Sequence, residues 1–396
     1  MEGIPPVKRG IGKDLRLDFH PSAYRASGHV QTLRVAFIAF NPHIRPPPFR
    51  MRHDTPEYSL IAAALTGNPW LPGPDWNWDQ TVAIAAREEV LPTLHAKLSC
   101  PPEVSDFFEA IHELNAERNR RLIREVEALA LLLNQAGTEP VLLKGAAYLT
   151  TDVYRDPADR FLLDIDLLVG PRQSEQAFEV IRCAGYESDV SCPVALVLHH
   201  HPALTQPYRV PVEIHHSLAH GAGGAILTAD EIIASSTPFR FGAATVRIPS
   251  PEHLMTHLII HSQMQHGSGD RIWPTLRAMH DLILLGRRFP IDWDAVRARF
   301  AARGKSAILN LHLLQVERAM GVPPPFAIAG GGVRWWYRQA LWRETRLRYV
   351  DPFYISSRTV WPRIRLSWRL LKFPVGRKYV LSTPFRRSFY KRLLGL

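Results

Sequence analysis

Apolar positions recur at helical spacing along most of this chain, and the period shortens in one central stretch. PEYSLIAAALTG (56–67) predicts a helix, and WDQTVAIAAREEVLPTLHAKL (78–98) predicts a second with Asp79 in its first turn. A long helix fits 103–135, where Phe107, Ile111, Leu114, Leu122, Val126, Leu129 and Leu133 fall at steps of three, four or eight and Gly137 supplies the stop. Past Gly137 the pattern changes. The short apolar run 141–144 ends at Gly145 and leads into the helical AAYLTTDVY, and FLLDIDLLV (161–169) has the apolar content of a strand. Gly170 and Pro171 open a further helix to about residue 184, and 196–205 with 209–216 flank a turn at 206–208 as a hairpin. From Ser250 the helical period returns over 250–265, 271–288, 292–303 and 305–320, closed by VPPP at 322–325.

This order predicts an α/β (α+β) chain: a poorly ordered, proline-punctuated extension at 1–54, a helical region at 55–138, a mixed core at 139–222, a helical substrate-side domain at 223–330, and a tail at 331–396. At 396 residues there is room for two or three domains. No apolar run approaches the ~18–20 residues of a membrane span, and the N-terminus lacks a secretory leader, so a soluble, cytoplasmic protein is expected. Cys100, Cys183 and Cys192 are odd in number and without CxxC spacing, which argues against a disulfide framework or cysteine zinc site. The net charge of +11 is concentrated: residues 334–396 carry 16 Lys or Arg against Glu344 and Asp351, interleaved with Trp335, Trp336, Trp342, Trp361 and Trp368. Such a segment suits nucleic acid or an anionic membrane surface as a partner, or packs on the slightly acidic remainder.

The informative chemistry lies at 162–169, LLDIDLLV. In a strand, residues i and i+2 share a face, so Asp164 and Asp166 project together from an otherwise apolar element. Two carboxylates about 4 Å apart repel by roughly 4 kcal/mol at an effective dielectric of 20, and a divalent cation with a taste for hard oxygen relieves that cost. Asp292-Trp293-Asp294 has the same spacing but precedes the helical AVRARF, where it reads as an N-cap and a first-turn acid. Two further elements join the first pair. Lys144-Gly145, at a strand-to-helix turn, suits a phosphate, and Glu213, alternating with apolar residues in VEIH, supplies a third carboxylate.

Together, VLLKGAAYLTTDVYRDPADRFLLDIDLLVG and the later VEIHHSL resemble the uncharacterised nucleotidyltransferase family of the DNA polymerase beta-like superfamily, the family's motif positions falling on Lys144, Gly145, Tyr154, Arg160, Asp164, Asp166 and 167–169. The resemblance is strongest over about 140–220, weaker over the flanking helices, and does not reach 1–54. It implies a mixed sheet flanked by helices, an NTP (ATP among them) as donor, and transfer of an NMP to the hydroxyl of a small molecule, sugar or peptide. On that basis Asp164, Asp166 and Glu213 are the expected catalytic and metal-binding residues, holding two Mg²⁺ (or Mn²⁺) ions for an in-line displacement. Lys144, Gly145 and Arg160 are the expected nucleotide-binding residues. The chain departs from the superfamily in reading Lys-Gly-Ala where Gly-Gly or Gly-Ser is usual, so a phosphate-contacting hydroxyl is missing.

Other readings remain open at the level of sequence. His253, His257 and His261 repeat at i, i+4, i+8, with His199, His200, His201, His215 and His216 upstream, a spacing compatible with zinc but without any hydrolase signature. A catalytically inactive scaffold with this fold, or an RNA-directed nucleotidyltransferase that uses the basic tail, fits the same residues.

Overall fold

The computed structural model describes residues 55–188, 199–265, 273–328 and 331–342, together with 368, 371, 372, 374 and 377. The extension 1–54, nearly all of the basic segment beyond 342, the hairpin residues 196–198 and the helix residues 271–272 lie outside the described residues.

Helix α1, Pro56–Thr66, starts on the Thr55 side chain, which accepts from the Tyr58 N–H, and ends at Gly67. α2, Trp78–Arg87, is capped by Asn77 and is much shorter than its apolar pattern suggests. Glu89 takes a left-handed backbone (φ 61) directly after it, and Pro92 starts a separate 3₁₀ turn, Pro92–Leu94. α3, Pro102–Gln135, buries Ile111, Leu122, Val126, Leu129 and Leu133 as its periodicity requires, but Leu114 faces solvent. The same face buries Asn115 and Asn119, whose partners lie in the loop that precedes the candidate site.

The sheet is mixed. β1 (Val141–Leu142) leads through α4 (Lys144–Thr150) and the 3₁₀ turn Pro157–Asp159 to β2 (Ile165–Leu168), then α5 (Ser174–Cys183) and β3 (Val212–His215). After two short helices, α6 (Ala222–Ile226) and α7 (Ala229–Ser235), come β4 (Thr237–Phe241) and β5 (Ala244–Ile248). The order is β3-β2-β1-β5-β4. β2 runs parallel to β3 and antiparallel to β1; β5 runs parallel to β1 and antiparallel to β4. The sheet therefore takes two strands from within 223–330, a segment whose pattern suggested helices alone. β2 is buried along its whole length, which accounts for its near-continuous apolar run, whereas most of β4 is exposed at the sheet edge. The expected hairpin is present as isolated antiparallel bridges, Leu204 to Val212 and His200 to His215.

The remaining helices are α8 (Pro251–Ile260), which runs on into a π-helical turn at His261–Gln265, α9 (Leu276–Arg288), α10 (Trp293–Ala302), α11 (Ser306–Met320) and α12 (Gly331–Trp342). Asp292 caps α10 by accepting from the Ala295 N–H at 3.0 Å, the role its context implied. One apolar core joins Tyr58 and Leu129 to Leu142, Leu167 and Ile214 in the sheet and to Ile259, Leu285 and Leu313 in the later helices. Among the described residues no helix is long and apolar enough to cross a membrane.

Two histidines tie this core to pH. His312 is wholly buried, with Gln263 donating to its Nδ1 at 3.0 Å, and burial pushes the imidazole down to about 3. On α9, burial does the same to His280, with Lys97, Arg287 and Arg160 adding to the effect. Below pH 6.5 the unfolded chain takes up protons that these folded imidazoles refuse, so their contribution is intact above 6.5 and is lost as pH falls toward 3. Each is expected to lower stability by about 1.4 kcal/mol for every pH unit across that window. His312→Gln should flatten the slope in urea titrations stepped from pH 7 to pH 4.

Candidate active site

The site forms where the central strands end. β2 and β3 pair in parallel with Asp166 opposite Glu213, so the two carboxylates stand side by side on one face of the sheet. His215, two residues beyond Glu213, shares that face. Its Nε2 lies 2.7 Å from Asp166 Oδ1 and 3.5 Å from Glu213 Oε2. One ligand atom from each of Asp166, Glu213 and His215 lies within 4.8 Å of the other two, the one such group of metal-capable side chains among the described residues. Asp166 and His215 are buried, while 21 % of the Glu213 side chain is accessible, so the cluster opens on the Glu213 side.

Lys144 enters from β1. The Leu143 N–H donates to the Asp166 carbonyl, holding the end of β1 against β2, and the chain then turns through Lys144 at φ 48 into α4. A lysine in the left-handed region is strained, and its ammonium is fixed by donating to Asp166 Oδ1 at 2.7 Å. The buried Gly145 follows because the backbone passes directly under Leu162: a Cβ there would lie 2.8 Å from Leu162 Cγ and Cδ2. Gly145→Ala is expected to cost about 1–3 kcal/mol by overpacking, read as a lowered melting temperature.

The electrostatics follow from these contacts. Burial opposes the charge on Asp166, but Lys144 and the His215 hydrogen bond outweigh it and hold the carboxyl well below the usual range. Burial likewise opposes the Lys144 ammonium and the His215 imidazolium, and their acidic neighbours, Asp166 first, raise both. Glu213 is lowered, the His215 hydrogen bond overcoming burial. Asp164 behaves differently: burial, with repulsion from Asp166, pushes it up to about 7. Repulsion between the strand aspartates is thus answered in part by Lys144 and His215, and does not by itself require a divalent ion. What points to a metal is the convergence of three ligand atoms of suitable chemistry.

The expected site residues are therefore only partly assembled. Asp166 and Glu213 meet, with Lys144 and Gly145 beside them. Asp164 stands one residue ahead of β2 and outside the three-ligand group, although its charge is felt there. Arg160 has a different partner from the phosphate expected of it. Its Nε and Nη2 donate to the two oxygens of Asp281 at 2.8 and 2.9 Å, Nη1 donates to the Phe161 carbonyl, and the residue is buried. Tyr154 donates to Asp281 as well, at 2.6 Å. With Asn115 and Asn119 donating to the carbonyls of Pro157, Ala158 and Arg160, this clamps the loop that delivers Asp164.

His215, read from the sequence only as one of several histidines, is the third member of the group that could hold a metal. Its signal was the i, i+2 alternation with Glu213, hidden among many histidines. Of the helical trio, His253 is engaged by Ser235 Oγ at 3.0 Å and Arg299 at 2.7 Å, and burial pushes His257 down to about 3. His199 packs its Nδ1 3.2 Å from His220 Nε2 at the edge of the acidic cluster.

A family model described as uncharacterised nucleotidyltransferase matches residues 74–321 of the chain. No curated protein matches. Among solved structures, the chain is similar to an antigenic nucleotidyltransferase-like protein from Paracoccidioides brasiliensis, at 16% identity and a TM-score of 0.31, over 54% of this chain and 95% of that one.

Proposed function

Because this chain belongs to the uncharacterised nucleotidyltransferase family, we propose that it transfers an NMP from an NTP to an acceptor hydroxyl, using a divalent ion held by Asp166, Glu213 and His215. The observation that carries this reading is the register of β2 and β3, which sets Asp166 against Glu213 with His215 on the same face. The donor set fits the ion: two carboxylates suit Mg²⁺ or Mn²⁺, and the imidazole inclines the site toward Mn²⁺. When bound, the ion would supply charge neutralisation and orientation for a phosphate.

The side chains have separable tasks. Asp166 anchors the centre and fixes the Lys144 ammonium where negative charge develops. Glu213, the accessible carboxylate, faces the incoming hydroxyl. Asp164 completes the acidic wall on a loop clamped by Arg160 and Asp281. The acceptor belongs to the small-molecule, sugar or peptide class, and the basic segment 334–396 is a candidate contact for nucleic acid or an anionic membrane.

The test is to incubate the purified chain with each α-labelled NTP, Mg²⁺ or Mn²⁺, and fractionated cell extract. Metal-dependent transfer of label to one fraction, with release of pyrophosphate, is expected. Binding without transfer for all four nucleotides would instead favour an inactive scaffold.

A further inference from the structure

Helix α12, GGVRWWYRQALW, keeps only part of its apolar surface in the core. Val333, Tyr337 and Leu341, each one turn from the next, form the seated face: Val333 is buried, and Tyr337 and Leu341 pack on the common core. The Tyr337 ring centre lies 5.6 Å from that of Trp273, whose Nε1 donates to the Tyr58 hydroxyl at 3.2 Å, and α11 packs alongside. The rest of the helix surface carries Arg334, Trp335, Trp336, Arg338 and Trp342, all exposed, the three tryptophans by 54, 48 and 47 %. A surface helix ordinarily sends charged residues outward and large apolar ones inward. Three half-exposed indoles on one 12-residue helix form the kind of patch that marks an interaction surface.

The charge around these indoles selects the partner. α12 contains no Asp or Glu, and Arg334 and Arg338, one turn apart, line one flank of its exposed side. Residues 343–396 add 14 Lys or Arg against Glu344 and Asp351, with Trp361 and Trp368 among them. Of that segment, Trp368, Lys372 and Arg377 are described, and all three are exposed. Indoles favour the headgroup level of a bilayer, where the ring is buried and the N–H stays wet, and arginine reaches from there to lipid phosphates. Single-stranded nucleic acid needs open ring faces on which its bases stack. Trp335 and Trp336 stand edge to face, 5.2 Å between centres at 78°, so one ring covers part of the other's face. We propose that the outer side of α12 is a docking surface for an anionic lipid bilayer. Its indoles enter the headgroup layer, while Arg334, Arg338 and the basic residues that follow hold the lipid phosphates. At 12 residues the helix lies in that surface and does not cross it. Such docking is independent of the transfer chemistry and selects one of the two partners open to the basic segment.

Co-sedimentation of the full chain with lipid vesicles tests this surface without any nucleotide. The wild type is expected to bind vesicles of phosphatidylcholine mixed with phosphatidylglycerol. Binding to phosphatidylcholine alone, or to the mixed vesicles at high salt, should be at least about tenfold weaker. Trp335→Ala combined with Trp336→Ala should weaken binding to the mixed vesicles on the order of tenfold, and so should Arg334→Gln combined with Arg338→Gln. Phe239→Ala, which removes an exposed aromatic from β4, should bind as wild type and so exclude a general loss of apolar surface. Should the tryptophan variant fail to fold, the arginine variant decides, because both of its altered side chains are exposed. Full binding by either double variant overturns the proposal, since α12 is then not the docking surface. Absence of wild-type binding to the mixed vesicles overturns it too, whether or not a single-stranded RNA oligonucleotide is bound instead. If the vesicles are bound through α12 but no label moves from any NTP, the docking surface stands and the nucleotidyltransferase reading falls.

Discussion

Asp166→Ala is expected to lower NMP transfer by a thousandfold or more, an effect on the order of that seen when a preorganised electrostatic group is removed from an active site. No other side chain joins so many parts of this site. Its Oδ1 lies 2.7 Å from both Lys144 Nζ and His215 Nε2, and its backbone accepts from Leu143, so it links β1, β2 and β3. Removing the carboxylate takes away a proposed metal ligand and frees a strained lysine to swing toward Glu213 and Asp164. The change should appear in kcat more than in KM, because the lost interactions act where charge develops. A melting curve separates the loss from unfolding: Lys144 keeps two nearby carboxylates, so the fold should survive. Turnover within tenfold of wild type would remove Asp166 from the chemistry.

The largest effect on stability is expected at Asp281. It is 2 % exposed and receives Arg160 through two hydrogen bonds and Tyr154 through a third. Arg160, 5 % exposed, has no route to solvent if that partner goes. Asp281→Ala leaves a buried guanidinium uncompensated, at a cost of about 3–5 kcal/mol. Arg160→Ala strands the carboxylate instead and should cost a similar amount, while the double variant should lose clearly less than the sum. Urea denaturation at pH 7 measures all three. A loss below about 1 kcal/mol for Asp281→Ala would mean that the loop bearing Asp164 is held by Asn115 and Asn119 alone.

The sequence disclosed the site through local spacing and concealed what depends on distant partners. The apolar run of β2 with two aspartates, the Lys-Gly turn and the alternating VEIH each lie within a few residues, and the family resemblance rests on them. Helices α3 and α11 were legible for the same reason: their buried positions recur at helical spacing. β4 and β5 were not, because β4 is largely exposed and its hairpin turns at Gly242 without a long apolar run. α2 ended early because Glu89 adopts a left-handed backbone that no residue type there announces. Arg160 resembled a phosphate ligand because its partner, Asp281, lies 121 residues away.

Binding of Mn²⁺, followed by the loss of the free-ion signal in electron paramagnetic resonance, tests the metal centre without needing a substrate. Wild type should bind, and Asp166→Asn, Glu213→Gln and His215→Ala should each weaken binding at least about tenfold, with Asp164→Asn having the smaller effect. If the His215 variant binds as tightly as wild type while Asp164→Asn does not, the centre is built from the two aspartates instead. If Mn²⁺ ignores all four side chains, there is no metal centre here.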